Sequence, residues 1–585
     1  MSEQQPPTES PHDMQGGTPE YLDYGSGAPI PPEPAGDQPT ARRSRRTTML
    51  VGGGVVGLLA LGAGAWAALS FFQQGAQPAE ALPASTVAYA SIDLDPSGGQ
   101  KIDAFRTLEK FPAFKDQVGI HSVDDVRRKI GEELISASGC ELSYDADIAP
   151  WLGDRAAVAA VDLGDSQPAP VLVVQAKDDA KADAGMHTLL TCGGHPPDDV
   201  AYDVHDGWVI MSKTQDDVSK VEAATAKGSL ADDATYQKWT KAVGDAGVVN
   251  LYAAPAAGDY LAGQLGNLQD AFGVYGLASG SEGFSYDDAV PGAAPSASAS
   301  AVTSGSSTTF RASASQDATD PFGGLLKNFQ GAAATIRFTG DGLELATATD
   351  PGLSQSDLAG DEGGAVVSRL PADTAAALGI SLKPGWVLSL ANRFASYSGD
   401  GKTGQDLLDQ LSKESGLALP ADAETLLGTS SAVSISKTFD YEAMVQSSDP
   451  AGVPVAFTVR GDPAAIEKVL DKIRHQAGSE PASVALLGSD SSGDLVVVGP
   501  TPAYRQAILA GGSLGRSAAF QSVVPEADHA SQVLYVNIDD LEHAISQAAA
   551  GDHSVLDNVA PLQAIGFSTW VDGDALRSSL KISTD

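Results

Sequence analysis

At 585 residues the chain is too long to fold around one hydrophobic core. Its 36 basic and 75 acidic residues leave a formal charge of −39, which repels phosphate backbones and argues against general nucleic-acid binding. Two cysteines, Cys140 and Cys192, cannot by themselves complete a four-ligand structural zinc cage.

Residues 1–46 are rich in Pro, Gly, Ser and Glu. Runs such as Pro29-Ile30-Pro31-Pro32-Glu33-Pro34 favour extended polyproline, so this stretch reads as a disordered cytoplasmic tail. Arg42, Arg43, Arg45 and Arg46 close it. Residues 47–72 then carry no charged side chain, long enough for one helix through ~30 Å of hydrocarbon. The next basic residue is Lys101, so the positive-inside rule puts the N-terminus in the cytoplasm and the remainder outside. The expected localisation is the cell membrane, single-pass, with the lipid bilayer as a partner through residues 47–72. Ala79-Glu80-Ala81 resembles a cleavage site, and Ser44-Arg45-Arg46 resembles a twin-arginine export signal. The length of the span and of its leader favours an uncleaved anchor over either.

Beyond the span the text repeats. Leu142–Asp147 aligns with Leu417–Asp422, and Pro170–Lys177 with Pro454–Gly461. Gly228-Ser229-Leu230 with Tyr236 matches Gly512-Ser513-Leu514 with Phe520, and Val248–Tyr252 matches Val533–Asn537. Each copy opens on Leu-Pro-Ala, at Leu82 and Leu370, and closes at Asp350 or Asp585. Residues 81–350 therefore read as repeat 1 and residues 366–585 as repeat 2. Repeat 1 carries an insertion at about 284–322, whose Ser/Ala-rich text from Ala289 to Asp320 reads as a flexible surface loop.

Within repeat 1, Thr86 to Leu94 alternates as a strand, with Val87 and Tyr89 on one face. Val123, Val126, Ile130 and Leu134 share a helical face behind Ser122. Strands follow at Val171–Gln175, Tyr202–Met211 and Thr335–Thr347, the last two folded by Asp206-Gly207 and Asp341-Gly342 turns. Asp178 caps a helix with Met186, Leu189 and Leu190 on its stripe. In repeat 2, Asp462-Pro463 opens a helix with Ile466, Val469, Leu470 and Ile473 on its stripe. Hairpins joined by single helices predict an α+β fold: two tandem copies of one module, largely antiparallel sheets, helices packed on one side.

Several patterns suggest chemistry and fail on spacing. Gly401-Lys402-Thr403 ends like a phosphate loop, but Ser396 stands where its first glycine belongs. Ser434 and Lys437 have the spacing of a serine–lysine pair, yet an alternating strand points them to opposite faces and reads as a surface strand end. Asp93, Asp95 and Ser97 begin like a calcium loop; Pro96 interrupts it, and Ala104 occupies the position of the bidentate acid. His187, Cys192, His195 and His205 form the densest group of metal-type residues, in no standard spacing. Cys140 and Cys192 are better read as a possible disulfide, worth about 4 kcal/mol on the chain-entropy model, with free thiols the alternative. No catalytic, cofactor-binding or metal residues are assigned, and no cofactor is expected.

The stretch Ala81–Gln100, with Phe111-Pro112-Ala113-Phe114 and Pro150-Trp151-Leu152-Gly153-Asp154, resembles the actinobacterial proteins of domain-of-unknown-function family 3352. The resemblance implies a membrane-anchored cell-envelope protein and no particular reaction or site. The expected function is a non-enzymatic, extracytoplasmic protein that binds an unknown envelope protein or ligand. An enzyme acting on envelope polymers between the two repeats is the alternative. A third reading places regulation in the tail, through phosphorylation of Thr40, Ser44, Thr47 or Thr48 beside the arginines.

Overall fold

The computed structural model describes residues 76–93, 141–192, 200–260, 328–351, 362–398, 401–442, 452–478, 481–549 and 552–585, with short pieces near 103–112, 127–136 and 357–358. The tail, the uncharged run 47–72, Asp95, Val123, Val126, Ile130, Leu134, Cys140, His195 and the 284–322 insertion lie outside the described residues. Among the described residues, no helix is long and apolar enough to cross a membrane.

The first half contains β1 Thr86–Asp93, β2 Leu152–Val161, β3 Ala169–Ala176, α1 Asp179–Cys192, β4 Ala201–His205, β5 Trp208–Ser212, α2 Gln215–Thr225, α3 Ala234–Val243, β6 Val249–Ala253, β7 Ala332–Thr339 and β8 Gly342–Thr349. The second contains α4 Glu362–Ser368, β9 Thr374–Ser381, α5 Trp386–Ser398, α6 Gly404–Ser415, α7 Ala421–Leu427, β10 Ser430–Ser436, β11 Val455–Arg460, α8 Pro463–Ala477, α9 Pro481–Leu486, β12 Ser489–Ser492 and β13 Leu495–Val498. It continues with α10 Pro502–Leu509, α11 Ala518–Val523, β14 Ala530–Asn537, α12 Ile538–Ala548, α13 His553–Val559, β15 Leu562–Asp572 and β16 Ala575–Thr584.

All the strands join one 16-stranded sheet in the order β12-β13-β11-β10-β9-β14-β15-β16-β8-β7-β6-β1-β2-β3-β5-β4. Its pairings are antiparallel, and the fold is α+β. The order within β9–β16 repeats that within β1–β8, and the halves meet where β8 pairs with β16. Two separate sheets were expected. One continuous sheet forms instead, because each half's last strand offers an unpaired edge and the two edges satisfy one another.

Local signals place many of these elements. Asp206 and Gly207 both adopt positive φ, 51° and 80°, the backbone of a two-residue hairpin turn. Asp462 caps α8 through the Ala464 amide, with Pro463 in the first turn. The turn expected at Asp341-Gly342 lies one residue earlier, at Gly340-Asp341, since Thr339 pairs directly with Gly342. Gly342 answers a different demand: a Cβ there would lie 1.9 Å from the Ile582 carbonyl oxygen on β16.

Two large cores lie on one face of the sheet. In the first, Trp239 and Val243 of α3 and Val218 and Val221 of α2 pack on Tyr89, Tyr252 and Ile210. In the second, Val367 of α4, Ile508 of α10 and Phe520 of α11 pack on Ala377, Val533 and Tyr535. Helices on one side only were expected, but the sheet's two ends are covered on both faces. At one end Ala182 and Met186 of α1 pack on Val209 of β5. At the other, Ile466 and Leu470 of α8 pack on Val459, Val496 and Val498. The cause is local: Val209, Val459 and Val496 are apolar on the second face of their strands and need cover there too.

Candidate functional site

The structure disperses most of the residues that the sequence singles out. Thr403 caps α6 and shares a capping box with Asp406, so Gly401-Lys402-Thr403 serves a helix start. Ser434 is buried, not at the surface as expected, and accepts a hydrogen bond from the Tyr504 hydroxyl at 3.1 Å. It lies on the core-facing side of β10, which the alternation alone did not disclose. Asp93 is buried against Arg155, whose Nε lies 2.8 Å from Oδ2, so this carboxylate already has its cation. His187 is exposed on α1, and Cys192, the last residue of that helix, is disulfide-bonded.

Among the described residues, His205 is the one metal-type residue that gathers further ligands. Its Nδ1 lies 2.8 Å from Asp203 Oδ2 and 3.8 Å from Glu222 Oε1. Both acids were missed. Asp203-x-His205 carried a signal, since alternate residues of a strand share a face; Glu222 arrives from α2 and carried none.

The most extensive feature is the face of the central strands turned away from the two large cores. Strand register lines up Ile92, Val249, Ile336, Leu345, Leu580, Phe567, Leu534, Leu378 and Val433 as direct cross-strand neighbours. Every member of this row is half-buried or exposed, and Leu378 reaches 53% and Val433 43% exposure. With strands ~4.8 Å apart the row is about 40 Å long. A second row along the same strands, including Leu343, Ile582, Ile565, Val536 and Ile435, widens the apolar zone to about 15 Å. Helices α1 and α8 stand on this face at the two ends, because Val209 and Val498 continue the row beneath them. Phe338, also on this face, is buried and bounds the open zone.

Concave sites are small by comparison. The clearest holds ≈ 360 Å³ between α8 and α9, lined by Glu467, Arg474, Val484, Leu487 and Ser489. The Arg474 guanidinium is bound there to Glu467, Asp471, Ser489 and the Leu487 carbonyl, which closes the junction instead of offering a reactive group.

Residues 49–191 match the model of a family described as protein of unknown function (DUF3352). No curated protein and no solved structure matches the chain. The DUF3352 stretch includes β1, β2, β3 and α1 up to Thr191. It ends before Asp203, His205 and Glu222 and before the whole second half, so those features stand on the geometry alone.

Proposed function

We propose that the chain is a membrane-anchored, extracytoplasmic protein that binds a protein partner through the apolar face of its sheet turned away from the two large cores, and catalyses no reaction. The single observation that carries this reading is the unbroken row from Ile92 to Val433. The strip has a footprint of about 40 by 15 Å, with Leu378 and Val433 its most exposed members, and a contiguous apolar patch of this kind marks an interaction surface. The width and flatness of the zone suit a macromolecular surface better than a small molecule, which favours enclosure. A net charge of −39 disfavours a second copy of the chain and anionic lipid headgroups as occupants.

The same reading treats the two halves as copies of one module. The Leu82 carbonyl accepts from the Leu230 amide at 2.7 Å, and the Leu370 carbonyl from the Leu514 amide at 3.1 Å. Tyr236 meets Tyr252 edge to face with ring centroids 5.1 Å apart, and Phe520 meets Tyr535 at a tilt with the same 5.1 Å. Anchoring through residues 47–72, an actinobacterial envelope setting and pairing of Cys192 with Cys140 complete the proposal. An oxidising space outside the membrane favours that bond.

The test is a photo-crosslinking residue placed at Leu378 in cells, with a second at exposed Lys413 on α6 as control. One discrete protein adduct at Leu378, absent from Lys413 and lost when Val433 and Leu251, an exposed residue of β6 on the same face as Val249, are both changed to Glu, supports the reading. The purified adduct protein must then bind the purified full chain saturably. Adducts to lipid alone, to a second copy alone, or equally at both positions refute it.

A further inference from the structure

The geometry points to a divalent transition-metal site formed by Asp203, His205 and Glu222, which clamps helix α2 onto the edge strand β4. Asp203 and His205 face Ile210 and Trp208 of β5, both part of the core beneath α2, so their side chains stand on the side that carries this helix. Glu222 follows buried Val221 on α2. One nitrogen and two carboxylates thus converge from two elements, with the candidate ligand atoms all within 4.8 Å of one another. Bonds of ~2.0–2.2 Å to a tetrahedral zinc ion place neighbouring donors ~3.3–3.6 Å apart, which these side chains reach by small rotations. The mixed nitrogen and oxygen set suits Zn²⁺ or Mn²⁺ better than Ca²⁺, which takes six to eight oxygens.

The present partners leave this group incomplete. In its Nδ1-protonated tautomer the imidazole has one proton to donate there, and Asp203 at 2.8 Å takes it, leaving none for Glu222. Glu222 Oε1 is buried and has no hydrogen-bond partner. The opposite end of the sheet solves the same junction with a cation of its own. There Asp490 of edge strand β12 faces Val497 of β13 as Asp203 faces Ile210, and Arg505 of α10 meets it at 2.7 Å. At the β4 end the helix brings a second acid where the β12 end has a guanidinium. A bound cation restores the missing charge.

The experiment uses the purified full chain, stripped with chelator, and ZnCl₂ as the probe in the presence of excess Mg²⁺. Calorimetry is expected to give one tight site per chain, and Zn²⁺ to raise the melting temperature. His205→Ala and Glu222→Gln each weaken that site on the order of a hundredfold or more. Co²⁺ supplies a visible band in the wild type that His205→Ala removes. Glu222→Arg, which imitates the β12 end, is expected to abolish Zn²⁺ binding while raising the melting temperature of the metal-free chain. Circular dichroism checks that each variant is folded. No uptake by the wild type above Mg²⁺ competition, or equal uptake by the wild type and His205→Ala, overturns the site and leaves an ordinary ion pair.

Discussion

Leu378 and Leu370 together test whether the apolar row is a surface or a hidden core. Leu370 is 1% exposed and packs in the second core, whereas Leu378 is 53% exposed on the other side of the sheet. Truncating a fully buried leucine, as in Leu370→Ala, costs about 2–5 kcal/mol, the removed methyl groups adding to the cavity they leave. Full burial of a leucine side chain contributes about 1.5–3 kcal/mol, so half-exposed Leu378 has about 1.5 kcal/mol to lose at most. Leu378→Thr keeps a side chain suited to a strand and removes the apolar surface. Urea unfolding of the two purified full-length variants measures the difference directly. Leu370→Ala should shift the midpoint strongly, and Leu378→Thr by a small fraction of that while weakening partner capture. Equal destabilisation by both substitutions means the row is covered in solution, and the argument for a docking face is then wrong.

Other consequences follow from individual contacts. Arg155→Met takes the guanidinium away from the buried Asp93 carboxylate and should cost about 3–5 kcal/mol in urea unfolding at neutral pH; a loss under about 1 kcal/mol would show that this pair is not what holds the acid. Burial raises the pKa of Glu344, but Arg337 and the Ser579 hydroxyl outweigh it, so the folded value lies below that of a free glutamate. Its contribution is therefore present above about pH 4.3 and is withdrawn as pH falls through the lower folded value. Glu344→Gln should be destabilising by about 1.5–3 kcal/mol at pH 7, with the gap to wild type closing in acid; a gap that stays constant to pH 2 removes the electrostatic account. Reduction with dithiothreitol should cost about 4 kcal/mol if Cys192 closes the loop to Cys140, and an unmoved unfolding midpoint would exclude that loop.

What the sequence discloses here depends on the range of the interaction that fixes each feature. The β1 alternation, the Asp206-Gly207 turn and the Asp462-Pro463 helix start are set by neighbours within a few residues, and all three appear where the residues indicate. The match of Val248–Tyr252 to Val533–Asn537 pairs Tyr252 with Asn537. The structure gives Tyr252 and Tyr535 the same role against α3 and α11, two positions away from that match. A shift of two along a strand keeps every side chain on its face, so periodicity could not detect it. The open face was equally hidden. Ala-Leu-Gly-Ile in β9 and Val-Ser-Ile in β10 carry apolar residues on the second face, which reads the same whether that face is buried or bare. The metal-type cluster failed for a related reason, since Glu222 meets His205 only once α2 has folded back on β4.

The junction explains why one sheet should be made from two similar halves. Aligning the hairpin turns Gly340-Asp341 and Gly573-Asp574 brings Ala346 into correspondence with Ser579, and these two residues face each other across β8 and β16. About this point the register is symmetric, with Leu345 facing Leu580 and Thr347 facing Ser578. Taken alone, either half would expose a long unprotected edge, the β8 or β16 strand, a template for unwanted pairing. Joined, the halves keep as edges only β4 and β12, which are short, and β12 ends in Ser-Asp-Ser-Ser. Across the junction, on the core side, Ser579 of β16 donates to Glu344 of β8 at 2.7 Å, and Arg337 of the neighbouring strand β7 donates to the same carboxylate at 2.9 Å. A slip of β16 against β8 by one residue would break the Ser579 bond and would put Leu580 and Leu345 on opposite faces. The apolar row is thus continuous across the junction in the register that the Ser579–Glu344 bond fits.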